Sequence, residues 1–191
     1  MASRIYILTP GVNIAINTPI LRYALTMGAK TAIPVEEYLH TSFPGVDPEY
    51  RDGELVERAM PDYLHGRTQA LLSFFFEALR RKLSVYVSVE TRIKLREGLY
   101  LIPDVAVFWP SKPGLVPDSP PLVAIEVLSQ DDRLASVREK LQQYRAWGVP
   151  HVWLVDPHSR RLYICDSGLT EVTSLAIPEL NLQLASLDIF D

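Results

Sequence analysis

The chain has 191 residues, which is most simply one domain with a sizeable hydrophobic core. Its 48% hydrophobic and 22% charged residues are typical of a globular protein. The net charge of −4 argues against a protein whose whole surface binds nucleic acid, although a local basic groove or an acidic metal site is compatible with it.

Two further classes of protein are disfavoured by the composition. The single cysteine, Cys165, precludes an internal disulfide and a cysteine-rich zinc site, so we expect a reducing, cytoplasmic setting. The best candidate for a membrane span, residues 5–21, falls short of the roughly 20 apolar residues required and contains Pro10 and Pro19. We therefore expect no association with a membrane.

Residues 1–30 differ in pattern from the rest of the chain, because their apolar residues fit neither the helical nor the strand period. We interpret them as an atypical extension ahead of a single domain at residues 31–191. Met27 begins a segment that resembles an ordinary protein start. We therefore hypothesise that residues 1–26 are dispensable for folding, and an unfolded protein after their deletion would contradict this.

The remaining pattern alternates between helices and strands. A short helix at 34–40 and a Pro/Gly/Asp loop at 43–53 lead into a strand at 54–59. A largely buried helix follows at 65–83, and residues 85–95 alternate with a period of two, which predicts one strand. Later segments read as two strands, a helix, a hairpin and a less clear tail: 100–108, 122–128, 131–147, 151–156 with 161–166, and 175–187. This order predicts a mixed α/β domain with a central sheet flanked by helices.

Two carboxylates interrupt segments that otherwise read as buried strands. Asp104 lies in IPDVAVF (102–108) and Glu126 in AIEVLS (124–129), where a charge is costly unless it is paired or binds a cation. Neighbouring strands lie about 4.8 Å apart, so the carboxylates can meet at the sheet edge if these strands pair. Mg²⁺ suits one or two carboxylates with water and a substrate phosphate, and the backbone carbonyl of Val127 is a candidate further ligand. The alternative is two strand-end carboxylates capped by backbone N–H groups.

A lysine interrupts the apolar face of the helix that follows. This face contains Leu134, Val137, Leu141, Tyr144 and Trp147. Lys140 falls between Tyr144 and Trp147 on the helical wheel, so it can face back towards the carboxylates. The alternative is a lysine that extends to solvent from the flank of the helix. Arg133 lies on the same face as a second basic candidate.

Other polar residues give weaker signals. Glu49, ahead of the Asp52-Gly53 turn, is a candidate third acid, although a solvated acidic turn explains it as well. Arg92 and Lys94 share a polar strand face that either lines a phosphate-binding groove or faces solvent. His65 begins a helix, and we interpret it as a cap or a surface group.

The motifs PDVAVF (103–108), IEVLS (125–129) and KLQQYRAWGVPHVWLVDP (140–157) together resemble the Uma-type family of predicted restriction endonucleases. That family belongs to the PD-(D/E)xK nuclease superfamily, and the resemblance spans about residues 31–191. It implies a restriction-endonuclease-like core in which Pro103-Asp104 is the PD and Glu126 the second acid. The lysine usual in the superfamily would stand at Leu128, and the resemblance implies that Lys140 replaces it. Glu49 matches the acidic residue ahead of the family's DG turn.

The resemblance further implies hydrolysis of DNA phosphodiester bonds with Mg²⁺ or Mn²⁺ held by Asp104 and Glu126. Lys140 would orient the attacking water and stabilise charge on the phosphate. Arg92, Lys94 and Arg133 are candidate phosphate contacts, and a homodimer would bring two sites to the two strands. The alternative function is a weakly active or inactive nuclease-fold module that binds or regulates, which the negative net charge and Leu128 favour.

Overall fold

A computed structural model of the chain describes residues 33–190 and the backbone of two N-terminal strands. These strands, β1 (Ile5–Thr9) and β2 (Val12–Ile16), pair as an antiparallel hairpin. The rest of the segment that we predict to be dispensable lies outside the described residues. The chain divides into two compact units, Met1–Arg58 and Ala59–Asp191. The boundary near residue 30 stays a prediction.

The first unit contains a short helix, α1 (Val35–Leu39), and an antiparallel hairpin of β3 (Glu49–Arg51) and β4 (Glu54–Val56). The turn residues Asp52 and Gly53 both have positive φ angles, 50° and 97°, as two-residue hairpin turns require. The sequence indicated this turn, but β3 was wrongly assigned to the preceding loop.

The second unit begins with helix α2 (Tyr63–Leu83) and contains helix α3 (Leu134–Trp147). Its first strands are β5 (Tyr86–Val89), β6 (Ile93–Arg96), β7 (Leu99–Leu101), β8 (Val105–Phe108) and β9 (Val123–Val127). The later strands are β10 (His151–Asp156), β11 (Arg161–Cys165), β12 (Leu169–Val172), β13 (Ser174–Ile177) and β14 (Leu182–Ala185). A short 3-10 helix (Pro178–Leu180) lies between the last two strands, and helix α4 (Ser186–Ile189) follows them.

Six strands of this unit form one mixed sheet in the order β12–β11–β10–β9–β8–β5. Strands β9 and β10 are parallel, and the other neighbours are antiparallel. Two further antiparallel pairs, β6 with β7 and β13 with β14, complete the described strands of the unit. The sheet therefore has β8 and β9 in its interior rather than at an edge.

Helices cover both faces of the six-stranded sheet. Leu72 and Phe76 of α2 belong to the same core cluster as Val105 and Val107 of β8. Leu141 and Tyr144 of α3 belong to a second cluster, which includes Ala106 and Ala124. Because both faces are buried, β8 and β9 have near-continuous apolar sequences.

The prediction of one strand at residues 85–95 is wrong. The chain bends at Glu90, which has a left-handed φ of 49°, so β5 joins the main sheet while β6 pairs with β7. The predicted strand at 100–108 also divides into β7 and β8, with Pro103 between them. Proline has no N–H to donate to a sheet, so it interrupts the ladder. The period of two continues across the break at Glu90, which conceals that break in the sequence.

Within the part of the chain that the structure describes, no helix is long and apolar enough to cross a lipid bilayer. Cys165, the only cysteine of the sequence, is buried and forms no disulfide.

Candidate active site

The register of the two central strands brings the predicted carboxylates together. Val105 of β8 lies opposite Ile125 of β9, which places Asp104 opposite Glu126 in the next position. Glu126 faces the side of the sheet that α3 covers, whereas Asp104 stands one residue before β8 and its carboxylate reaches His65 of α2. Both are almost fully buried, with Asp104 3% and Glu126 7% exposed. The site lies where β8 begins, in the middle of the sheet rather than at its edge.

The Asp104 carboxylate contacts both the neighbouring strand and a helix. Its Oδ2 accepts a hydrogen bond of 2.7 Å from the backbone N–H of Val127. The same oxygen lies 3.2 Å from Nε2 of His65, a buried residue of α2. The alternative from the sequence, a carboxylate capped by backbone N–H groups, therefore accounts for the contact with Val127. The contact with the His65 imidazole is additional.

Both oxygens of Glu126 accept from side chains of α3. Lys140 Nζ donates to Oε2 at 2.8 Å, and Tyr144 OH donates to Oε1 at 2.9 Å. Lys140 Nζ also donates to the carbonyl oxygen of Ile102 at 2.8 Å. Residues four apart lie one turn apart on the same face of a helix, so Lys140 and Tyr144 reach Glu126 from neighbouring turns.

Lys140 is only 8% exposed, so it is not a lysine that extends from the flank of the helix into solvent. Burying an ammonium group costs several kcal/mol in lost hydration, on the order of the penalty for each ion of a buried pair. A carboxylate and further acceptors must compensate this cost. Glu126 and the Ile102 carbonyl provide that compensation here. The structure thus brings Asp104, Glu126 and Lys140 together with the backbone of Val127.

The other candidates are Glu49, Lys94, Arg133 and Arg92, and the structure shows the surroundings of each. Glu49 belongs to the first unit, where its buried carboxylate lies 3.1 Å from Arg51 Nη2. Lys94 Nζ lies 2.7 Å from the Glu97 carboxylate. Arg133 is exposed at the N-cap position of α3, and Arg92 is half-buried between β5 and β6. The roles predicted for these residues, and for the Val127 carbonyl, stay proposals.

Two residues of the site escaped the sequence reasoning. The sequence predicts that His65 is a cap or a surface group, but His65 is buried, because it lies on the inward face of α2 with Thr68, Leu72 and Phe76. That spacing of three and four residues was the signal that could have identified it. Tyr144 read as a core aromatic residue on the apolar face of α3, and nothing in the pattern distinguished its hydroxyl.

A further carboxylate, Asp132, lies in the loop before α3. Its Oδ2 accepts from the backbone N–H of Ser129 at 2.7 Å. Burial raises the pKa of the Asp132 carboxyl, and the negative charge of Asp104 adds to this increase. No sequence motif pointed to Asp132 as a residue of interest.

The donor atoms of the site are suited to a hard divalent cation. Two buried carboxylates lie opposite each other, and Mg²⁺ is commonly bound by one or two carboxylates while water and substrate phosphate complete its coordination. Among the described residues, no group of three or more His, Cys, Asp or Glu side chains is arranged to hold a metal ion. The two carboxylates therefore fit a metal that takes its remaining ligands from water and a substrate phosphate.

The N-terminus of α2, which carries His65 into the site, is fixed by Asp62. The Asp62 side chain accepts from the backbone N–H of His65 at 2.8 Å and lies 2.9 Å from His158 Nε2. We expect Asp62→Ala to lower the free energy of unfolding by about 1 kcal/mol, whereas Asp62→Asn, which also caps a helix, retains most of it. Chemical denaturation of the three proteins measures this, and equal stability of wild type and Asp62→Ala would contradict it.

The same cap has a definite dependence on pH. The His65 backbone N–H lowers the pKa of the Asp62 carboxyl from its ordinary value near 3.8. A lowered pKa in the folded state stabilises the fold above the unfolded value, and this contribution is lost as pH falls through the folded value. The stability difference between wild type and Asp62→Ala should therefore persist at neutral pH and shrink below about pH 3.8.

Comparisons with known proteins agree with this architecture. The Uma2 family, described as "Putative restriction endonuclease", matches residues 35–190. No curated protein matches the chain. A solved structure described as a "putative nuclease belonging to DUF820" from Anabaena variabilis is 19% identical, with a TM-score of 0.70 over 83% of this chain and 97% of that one. The fold is therefore restriction-endonuclease-like, with a central mixed sheet flanked by helices, as the sequence predicted.

Proposed function

Since the chain belongs to the Uma2 family, we propose that it is a divalent-metal-dependent DNA endonuclease with its active site at Asp104, Glu126 and Lys140. The family and the fold support a nuclease, and hence a nucleic-acid substrate. The observation that carries the finer proposal is the contact of 2.8 Å between Lys140 Nζ and Glu126, the carboxylate opposite Asp104. It supports a site in which the lysine comes from α3 because Leu128 occupies the usual strand position.

Asp104 and Glu126 would hold Mg²⁺ or Mn²⁺, with the Val127 carbonyl as a candidate further ligand and Glu49 as a candidate third acid. When bound, such an ion polarises the scissile phosphate and lowers the pKa of a bound water. The buried setting of both carboxylates limits competition from bulk water.

The side chains of the site have separable roles in this proposal. Lys140, held by the Ile102 carbonyl, supplies a positive charge beside Glu126 that orients the attacking water and stabilises charge developing on the phosphate. Tyr144 fixes the second oxygen of Glu126 and thereby the orientation of that carboxylate. Arg92, Lys94 and Arg133 are the proposed contacts to DNA phosphates. A homodimer, acting in the cytoplasm, would place two such sites on one duplex.

The test is cleavage of supercoiled plasmid DNA by the full chain with Mg²⁺ or Mn²⁺, against a chelator control and an RNA duplex. We expect metal-dependent nicking or linearisation of the DNA, abolished by the chelator. A protein that neither cleaves nor binds Mn²⁺ in calorimetry would contradict the proposal. That outcome would favour the alternative, a nuclease-fold module that binds or regulates without cleaving.

A further inference from the structure

His65 is a buried polar residue on the inward face of α2. It is 4% exposed, and Leu72 and Phe76 continue the same face of the helix into the core. Burying a polar group is costly unless it has a polar partner. The partner is Asp104, whose Oδ2 lies 3.2 Å from His65 Nε2. Packing alone therefore does not explain a histidine at this position.

The next turn of α2 contacts Asp104 a second time. Gln69, four residues after His65, donates from Nε2 to the backbone carbonyl of Asp104 at 2.8 Å and to Glu90 Oε1 at 3.0 Å. Asp104 precedes β8, where the chain leaves the ladder at Pro103. The Glu90 N–H also approaches the Asp104 carbonyl, but at 3.4 Å, beyond the usual hydrogen-bond range of about 2.7–3.2 Å. Gln69 thus provides the shorter of these two contacts.

The same arrangement occurs around the second carboxylate. Glu126 is held by Lys140 and Tyr144, which are also four residues apart, on α3. Asp104 and Glu126 are each contacted by two side chains that lie four residues apart on one helix, although Gln69 reaches the backbone carbonyl of Asp104 rather than its carboxylate. The turn of α2 that carries His65 is itself fixed by the Asp62 cap, which accepts from the backbone N–H of His65.

We propose that His65 and Gln69 are positioning residues which hold Asp104 in the orientation that metal binding and cleavage require. This inference rests on the proposed function, since it assigns a purpose to the orientation of Asp104. His65 acts on the side chain of Asp104, and Gln69 acts on its main chain. Neither residue needs to touch the metal or the phosphate.

The test uses Mn²⁺ binding to the full chain, measured by calorimetry, together with thermal unfolding and plasmid cleavage. His65→Phe keeps an aromatic ring without the nitrogen, and His65→Gln keeps a side-chain N–H donor. We expect His65→Phe to weaken Mn²⁺ binding by about 10–100-fold, the range known for residues that orient metal ligands, with His65→Gln restoring most of it. Gln69→Met, at a half-buried position, should also weaken Mn²⁺ binding, by a smaller factor.

The matched control is His151→Phe. His151 also pairs with a carboxylate, Glu179, at 2.9 Å, but it lies three residues along β10 from Leu154, the residue opposite Glu126, so its loss should leave Mn²⁺ affinity unchanged. If wild type binds Mn²⁺ and both His65→Phe and Gln69→Met bind it equally well, the inference is overturned while the proposed function stands. A lower melting temperature with unchanged Mn²⁺ affinity would also overturn it. If wild type itself neither binds Mn²⁺ nor cleaves, the proposed function fails first.

Discussion

Asp104→Asn should eliminate metal-dependent cleavage while leaving the fold intact. Asparagine has the same shape and keeps an oxygen that accepts from the Val127 N–H, so the contact across the two strands survives. It lacks the negative charge that would hold a divalent cation. Residues that only orient a metal ligand are worth about 10–100-fold, so we expect loss of the ligand to cost more than about a hundredfold in cleavage rate.

Single-turnover cleavage of plasmid DNA, with Mn²⁺ calorimetry on the same samples, measures this effect. Asp166→Asn is the matched control, because Asp166 accepts hydrogen bonds from Ser167 and Gly168 in an exposed turn outside the site. Cleavage by Asp104→Asn within about tenfold of wild type would be too small an effect for a metal ligand and would remove Asp104 from the proposed machinery.

Lys140→Met should affect activity and stability together. Removal of one electrostatic contact to a transition state costs about 10²–10³-fold in rate. Removal of Lys140 from the buried ion pair also leaves the Glu126 charge without that counter-ion, at a cost of about 3–5 kcal/mol. At about 2–4 °C per kcal/mol for a chain of this size, the melting temperature should fall by roughly 6–20 °C.

The double variant Glu126→Gln with Lys140→Met separates these two effects. It contains no unpaired buried charge, and its amide oxygen still accepts from Tyr144, so most of the lost stability should return. Cleavage should not return. As a control, Lys82→Met at the exposed end of α2 should change stability by less than about 0.5 kcal/mol. A Lys140→Met protein that is as stable as wild type would show that the ion pair of the structure is not formed in solution.

The residues that could be predicted from sequence share one property, which is that their chemistry conflicts with their surroundings. Asp104 and Glu126 stand in apolar strands, and Lys140 stands on an apolar helical face. Tyr144 could not be predicted in this way, because an aromatic residue suits that face equally well whether or not its hydroxyl has a partner. His65 was misassigned because its position at the start of a helix suggested exposure, whereas the inward spacing of Thr68, Leu72 and Phe76 decides its burial.

The fold likewise has parts that the sequence predicts and parts that it does not. The central strands and both long helices follow from hydrophobic periodicity, because burial on a face of the sheet enforces that periodicity. The break at Glu90 does not follow from hydrophobic periodicity, since a single residue with a left-handed φ redirects the chain without disturbing the alternation on either side. Only the partners of each strand reveal that β5 and β6 lie in different pairings, and strand pairing is not local information.

The register between β8 and β9 determines where the chain can tolerate insertions and deletions. Adding or removing one residue between Val123 and Glu126 would turn the Glu126 carboxylate to the opposite face of the sheet, and the same change between Asp104 and Phe108 would shift Asp104 relative to the Val127 N–H. The connection at residues 109–122 lies at the other end of both strands, so changes of its length leave this register untouched, and loop closure depends only weakly on length. Length differences among relatives of this chain should therefore concentrate in that connection and avoid the two short strand segments.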